Sequence, residues 1–258
     1  MTQLVFDIET VPDVELGRRV LGIEGLSDAE VAKAMYTVRR QESGSDFLPL
    51  EQHRVVAISC VLRSRTVLQV WSLGDVHSSE AELITRFFEG IEKYTPELVS
   101  WNGSGFDLPV LYYRALRAGV RAPRYWETGD GDTSFRYNNY LSRFHWRHTD
   151  LMDVLSGFQG RARASLEDMA ALLGLPGKLG MRGDGVWDAV LAGQLAAVRR
   201  YCEIDTLNTY LVLLRFDLFR GHLDPQEYRH EIERLRAWLG ASGEAHHREF
   251  LAAWEPVA

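Results

Sequence analysis

The sequence predicts an α/β fold built on a mixed central sheet. Short apolar, β-branched runs open the chain and recur at 54–63, 66–73 and 98–101. Longer stretches with helical spacing and capping signals lie between and after them. The order is strand, insertion, strand pair, helix, strand, helix and then further helices, which is an α/β arrangement.

Bulk properties narrow the class. At 258 residues the chain makes one large domain or two small ones. Its 46% hydrophobic and 25% charged residues are ordinary for a soluble globular protein. No run reaches the roughly 18 apolar residues of a membrane span, so no membrane partner is expected. The first residues lack a basic cluster followed by an apolar core, so no signal peptide is read there. Cys60 and Cys202 sit in apolar surroundings, as buried thiols in a reducing compartment do, and a cytoplasmic location is expected. The net charge of −7 weighs against a protein that coats duplex through a broad basic face. It does not exclude a nucleic-acid enzyme, whose metal ligands themselves add negative charge.

Residues 3–9 read as the first strand, with Leu4, Phe6 and Ile8 alternating, and Thr10-Val11-Pro12-Asp13 ends it. An insertion then runs from 11 to 52. Within it Ser27-Asp28-Ala29-Glu30 matches a capping box, and helical spacing continues to Arg40 before QESGSD breaks it. Runs 54–63 and 66–73 form a hairpin across Ser64-Arg65. Ser78 or Ser79 caps a helix to Tyr94. Leu98–Trp101 is a short strand, Asn102-Gly103-Ser104-Gly105 a turn, and Phe106–Ala118 a helix with Pro109 in its first turn. Residues 119–147 are irregular, 149–156 are a short strand or helix, and Ser165 opens a helix ended by Gly174. Residues 188–218 and 225–239 are helical. The expected organisation is a domain over 1–218 and a helical extension over 219–258 packed on it.

The first strand raises an electrostatic problem. Residues i and i+2 of a strand face one side, so Asp7 and Glu9 share a space while Phe6 and Ile8 face the core. Like charges so placed repel unless a cation lies between them, and magnesium or manganese prefers such oxygen ligands. A solvated acidic face on an edge strand would relieve the repulsion equally well. Asp107 opens a helix after a strand and a glycine turn, a position where Asp commonly serves only the helix dipole. Tyr201 and Asp205, four apart on a helix, share a face. Glu203 points elsewhere and reads as a solvated residue.

Taken in order, FDIET, NGSGFD and YCEID resemble the three motifs of the DEDD exonuclease superfamily, in its Tyr-bearing subclass. The chain is similar to predicted 3′-5′ exonucleases related to the proofreading domain of family-B DNA polymerases. The likeness covers roughly residues 2–218 and includes KLGMRGDGVWDAVLAG before the third motif. It implies a ribonuclease H-like fold and a two-metal phosphodiesterase site. Asp7, Glu9, Asp107 and Asp205 are then the ligands of two divalent ions, magnesium or manganese, and Tyr201 orients the attacking water. Two such ions acidify the water and stabilise the departing 3′-oxygen.

Substrate contacts are expected from Thr10, Val11, Asn102, Ser104 and Phe106, the last either stacking on the terminal base or joining the core. Between 134 and 182 seven basic side chains face four acidic ones, with Phe135, Tyr137, Tyr140, Phe144 and Trp146 interleaved. That mixture suits single-stranded nucleic acid, or equally a solvated loop over core aromatics. His145 and His148 are not expected to bind a hard metal. The leading expectation is a metal-dependent 3′-5′ exonuclease that removes nucleoside monophosphates from single-stranded DNA. An exoribonuclease is the first alternative. A binding module without turnover fits less well, because clustered carboxylates without metal repel phosphate. A purely structural domain, docking through 225–239, leaves the motifs unexplained. The 11–52 insertion is a candidate lid over the 3′ end.

Overall fold

The computed structural model describes residues 2–254. Five strands form one sheet: β1 (Gln3–Pro12), β2 (His53–Arg63), β3 (Leu68–Ser72), β4 (Glu97–Ser100) and β5 (His148–Asp150). Their spatial order is β3-β2-β1-β4-β5. The β1–β2 and β2–β3 pairs are antiparallel, and β1–β4 and β4–β5 are parallel. This is the expected mixed sheet with the ribonuclease H-like arrangement. The carboxylate-bearing strand is its centre, so the solvated-edge alternative for Asp7 and Glu9 falls.

Both faces of β1 are buried, and they are buried against different helices. Leu4, Phe6 and Ile8 pack into one core with α3 (Glu80–Tyr94) and α4 (Asp107–Ala118). On the other face, Val5 joins a core with α8 (Leu195–Phe219), α9 (Pro225–Ala241) and α10 (Ala245–Ala253). Val11 joins a neighbouring cluster with Val56, Val186, Val198, Tyr201 and Cys202. Asp7 and Glu9 lie between Val5 and Val11 on this second face. The α3/α4 face is a continuous apolar layer, and the α8 face is interrupted by charge.

Most elements form where sequence places them, and the differences have local causes. The hairpin turn spans 64–67, because the Ser64 N–H donates to the Val67 carbonyl at 2.8 Å and shortens β3. The single helical stretch at 188–218 is two helices, α7 (Val186–Leu191) and α8. Gly193, at φ 71°, breaks it, and the Gln194 N–H closes back on the Ala189 carbonyl. The ambiguous 149–156 segment is both things: β5, then α5 (Leu151–Leu155), with Asp150 capping the Met152 and Asp153 N–H groups.

Inside the insertion, α1 (Val14–Leu21) precedes the expected capped helix α2 (Asp28–Ser43). These two helices close on their own small cluster of Val31, Met35 and Leu48. A Cβ on Gly17 would meet the Met35 sulfur at 2.4 Å, so the close approach of α1 to α2 requires glycine there.

A buried and a half-buried arginine fasten the helices to the sheet. Arg114 of α4 is 3% exposed and bonds Asp13, which caps α1, and Glu80, which opens α3. Burial alone would raise the Asp13 pKa, but the Arg114 hydrogen bond and charge bring it below the usual value. Arg63 of β2 bonds Gln3, Asp217 and Glu231, and so ties α8 and α9 to the sheet end. Arg114→Leu leaves Glu80 without its arginine and Asp13 with Arg117 alone, and is expected to lower stability by about 3 kcal/mol. Urea unfolding checks this, and a loss below about 1 kcal/mol would show that the network is not a fastening.

Candidate active site

Three elements bring four carboxylates to one place. β1 outruns β4: the register pairs Val5 with Val99, and β4 ends at Ser100. The backbone of Ile8 therefore has no strand partner on that side. Asp107, first residue of α4, fills the role, its Oδ1 accepting the Ile8 N–H at 3.2 Å. From the opposite side α8 lies across β1 and presents Tyr201, Cys202 and Asp205. The Cys202 thiol donates to the Asp7 carbonyl at 3.4 Å and lies 3.6 Å from Asp7 Oδ2.

The electrostatics of this cluster are those of an uncompensated acidic site. Burial, then the charges of Asp107, Glu9 and Asp205, push the Asp7 pKa well above its usual value. Burial, then Asp205 and Asp107, do the same to Glu9. Burial raises Asp107 to about 7 although the Ile8 N–H opposes it, and raises Asp205 to about 6. The Tyr201 phenol is also driven up, by burial and by Asp205 and Glu9, so it stays protonated at neutral pH. Asp205 Oδ1 is buried with no hydrogen-bond partner, and a buried carboxylate oxygen left unpaired is costly. An all-oxygen donor set with an orphaned oxygen fits a hard divalent cation. Asp7, Glu9 and Cys202 offer ligand atoms within 4.8 Å of one another. Burial and the Asp7 charge hold Cys202 as a thiol, which leaves the carboxylates as the ligands of such an ion.

One cation reaches this cluster. The Lys178 charge opposes the rise of both Glu9 and Asp205, and its Nζ lies 5.9 Å from the Tyr201 ring centre. Its loop is clamped by Asn208 of α8, which donates to the Gly177 carbonyl at 3.0 Å and accepts the Gly177 N–H at 3.1 Å. In the sequence Lys178 is one of the seven basic residues of 134–182 and opens the KLGMRGDGVWDAVLAG stretch, and neither pattern singles it out.

Beside Glu9 opens a cavity of ≈ 830 Å³. Its floor is Ile8–Pro12, one wall is Lys33, Tyr36 and Arg40 of α2, and the other is Trp187 with its neighbours on α7. Of the expected substrate residues, Thr10 and Val11 line it, with Thr10 Oγ1 2.8 Å from His53 Nδ1 and Val11 otherwise in the core. Phe106 lines it too, edge-on to His53 at 5.1 Å and near Phe47 at 5.6 Å. Asn102 and Ser104 do not line it. Their backbone N–H groups instead cap Asp150, each at 2.9 Å, which fixes the turn before Asp107.

The 134–182 stretch divides between the two roles sequence left open. Phe135 and Tyr140 are core residues, whereas Tyr137, Phe144 and Trp146 are exposed. Arg143 and Arg163 share Asp153, and Arg147 lies over the Phe135 ring at 3.8 Å, so these cations are already partnered. His148 bonds Ser100, and His145 Nδ1 accepts the Asn139 N–H. Glu203 is not solvated: its side chain is 12% exposed and lies against Ser72 and two histidines.

A ribonuclease H-like sheet whose central strand and two flanking helices converge on four carboxylates defines an exonuclease-type domain. The chain belongs to the family described as predicted 3′-5′ exonuclease related to the exonuclease domain of PolB, whose model matches residues 45–254. That match starts beyond β1, so Asp7 and Glu9 join the site by geometry. Among curated proteins, DNA polymerase 1 of Sulfolobus acidocaldarius is 28% identical over 107 residues, 42% of this chain and 10% of that one. DNA polymerase 1 of Sulfurisphaera ohwakuensis is 49% identical over 43 residues, 17% of this chain and 5% of its own. DNA polymerase of Pyrococcus glycovorans is 42% identical over 50 residues, 19% of this chain and 6% of its own. The chain thus spans a tenth or less of these relatives. Among the described residues no helix is long and apolar enough to cross a membrane.

Proposed function

We propose that the chain is a metal-dependent 3′-5′ exonuclease that removes nucleoside monophosphates from single-stranded DNA. The observation that carries this is the convergence of Asp7, Glu9, Asp107 and Asp205 with Tyr201, beside a nucleotide-sized cavity that Glu9 lines. Asp7, Glu9, Asp107 and Asp205 would hold two magnesium or manganese ions, which supply an activated water and charge neutralisation at the leaving oxygen.

The chain's own residues do the rest. Tyr201, a neutral phenol, donates or accepts a hydrogen bond and so orients water without removing its proton. Lys178 offsets charge on the phosphate. The terminal nucleotide enters the cavity, with its sugar near the Thr10–His53 pair and its base against Phe106 and Phe47. The α1–α2 insertion is the wall that encloses it.

Purified protein incubated with 3′- or 5′-labelled single strands of DNA and RNA, with either metal, tests the proposal. Stepwise shortening from the 3′ end of DNA is expected. Binding without shortening would overturn it, and faster shortening of RNA would move it to an exoribonuclease. Phe106→Ala is expected to raise KM about 5- to 100-fold with a smaller change in kcat, from the roughly 1–3 kcal/mol of a base–aromatic stack. Steady-state kinetics on a short oligonucleotide check this; an unchanged KM would return Phe106 to a purely structural role.

A further inference from the structure

A second cluster of metal-ligand type lies outside the acidic site. Glu203 sits two residues from Asp205 on α8 and so faces nearly the opposite way. Its Oε1 accepts the Ser72 hydroxyl at 2.6 Å. Its Oε2 faces His246 Nε2 at 2.7 Å and His247 Nε2 at 3.2 Å, both at the start of α10. The two histidine side chains are 9% and 3% exposed. Ligand atoms of the three residues lie within 4.8 Å of one another.

Hydrogen-bond accounting leaves buried nitrogen atoms of this cluster without partners. The Ser242 hydroxyl donates to the Leu239 carbonyl at 3.1 Å. Its oxygen therefore accepts at His247, and the 3.0 Å contact is His247 Nδ1–H to Ser242 Oγ. This leaves His247 Nε2 to face Glu203, and that buried atom has no hydrogen-bond partner; His246 Nδ1 is likewise buried without one. His247 Nε2 confronts a carboxylate oxygen 3.2 Å away. The two atoms face each other without a hydrogen bond, a placement that a metal ion bridging them would satisfy. Arg199, one turn before Glu203 on α8, spends its hydrogen bonds on the carbonyls of Ser72, Leu73 and Gly74.

We propose that Glu203, His246 and His247 bind one transition-metal ion of the zinc class. Donors on one tetrahedral ion, each about 2.0–2.1 Å from it, stand about 3.3 Å apart, near the spacing seen at His247. The His246 ring would withdraw by roughly half an ångström to reach the same spacing. Two imidazoles and one carboxylate select zinc over magnesium, which prefers an all-oxygen shell. Ser242 acts as the outer partner that fixes the His247 tautomer. The remaining position faces a groove of ≈ 510 Å³ lined by Trp238, Ser242 and Glu244. The ion would join α8, β3 and α10 behind the third motif, and it does not depend on the nuclease reading.

The test uses the full chain carrying Asp7→Asn and Asp205→Asn, so that the acidic site contributes little. The protein is stripped with chelator, titrated with zinc or cobalt(II), and read by elemental analysis, visible absorption and X-ray absorption. About one ion per chain is expected, with a tetrahedral cobalt spectrum and histidine outer-shell scattering. His247→Gln and Glu203→Gln should weaken binding at least about tenfold, and Ser242→Ala, which leaves all three ligands, by about tenfold. Retention no greater than that of a His246→Gln/His247→Gln chain would overturn the proposal, as would a bound ion with an all-oxygen shell. The spectra of the protein with its histidines intact decide the matter even if a variant fails to fold.

Discussion

Asp7→Asn is expected to reduce 3′-end shortening on the order of a thousandfold or more. The side chain lies among Glu9, Asp107 and Asp205 on the central strand, where removing one charge disturbs every metal position. Metal-borne charge stabilisation is worth several kcal/mol, and each 1.36 kcal/mol is a factor of about ten. The amide keeps the size of the side chain and leaves its neighbours on that face, Val5 and Glu9, in place, so the fold should persist. Single-turnover shortening of a 3′-labelled strand, with circular dichroism as a control for folding, measures the loss. A variant that retains more than about a tenth of the rate would remove Asp7 from the metal-binding set. Chelation of divalent ions should give a loss of similar size in the unaltered protein, reversed by adding magnesium or manganese.

The second large effect concerns stability, and its sign is unusual for carboxylates. Folding raises the Asp107 and Asp205 pKa to about 7 and about 6 through burial, against about 3.9 in an unfolded chain. The folded state therefore holds protons more tightly. These groups favour folding fully below about pH 4, and that contribution is lost as pH rises to about 7. Asp7 and Glu9 shift the same way. Metal-free protein should lose on the order of a few kcal/mol across this window. Asp13, which folding shifts downwards, works in the opposite sense at lower pH. The comparison that isolates the cluster is therefore between the unaltered chain and Asp205→Asn. Without metal at pH 8 the variant should melt at the higher temperature, and at pH 4 the two should converge. Adding magnesium should raise the melting temperature of the unaltered chain, and more at pH 8 than at pH 5. Identical melting at pH 8 without metal would mean that the carboxylates are not in electrostatic conflict.

Much of the site was legible because each piece is local. Strand alternation places Asp7 with Glu9, helical spacing places Tyr201 with Asp205, and a glycine turn before a helix marks Asp107. The convergence of these three pieces is tertiary, yet the order of the motifs announced it through the family they resemble. What escaped was set by long-range contacts. Lys178 lies in a loop whose position depends on Asn208, thirty residues onward. Glu203 looked solvated because its partners His246 and His247 belong to α10, a short helix with a weak pattern of its own that was not foreseen. The α7–α8 break was signalled by Gly193, but the surrounding apolar spacing concealed it. Asn102 and Ser104 carry motif-like side chains, whereas the backbone N–H groups of their turn are what the fold uses.

The α1–α2 pair has a further consequence. It closes on its own cluster, α2 walls one side of the cavity beside β1, and α1 is tied to α4 through Asp13 and Glu15. Exchanges on the cavity side of α2 can reshape what the pocket admits without disturbing the packing around Asp7. Under the proposed function, selectivity and chemistry are in that sense separately inheritable: the first can drift between lineages, or be recut by grafting, while the second stays anchored in the centre of the sheet.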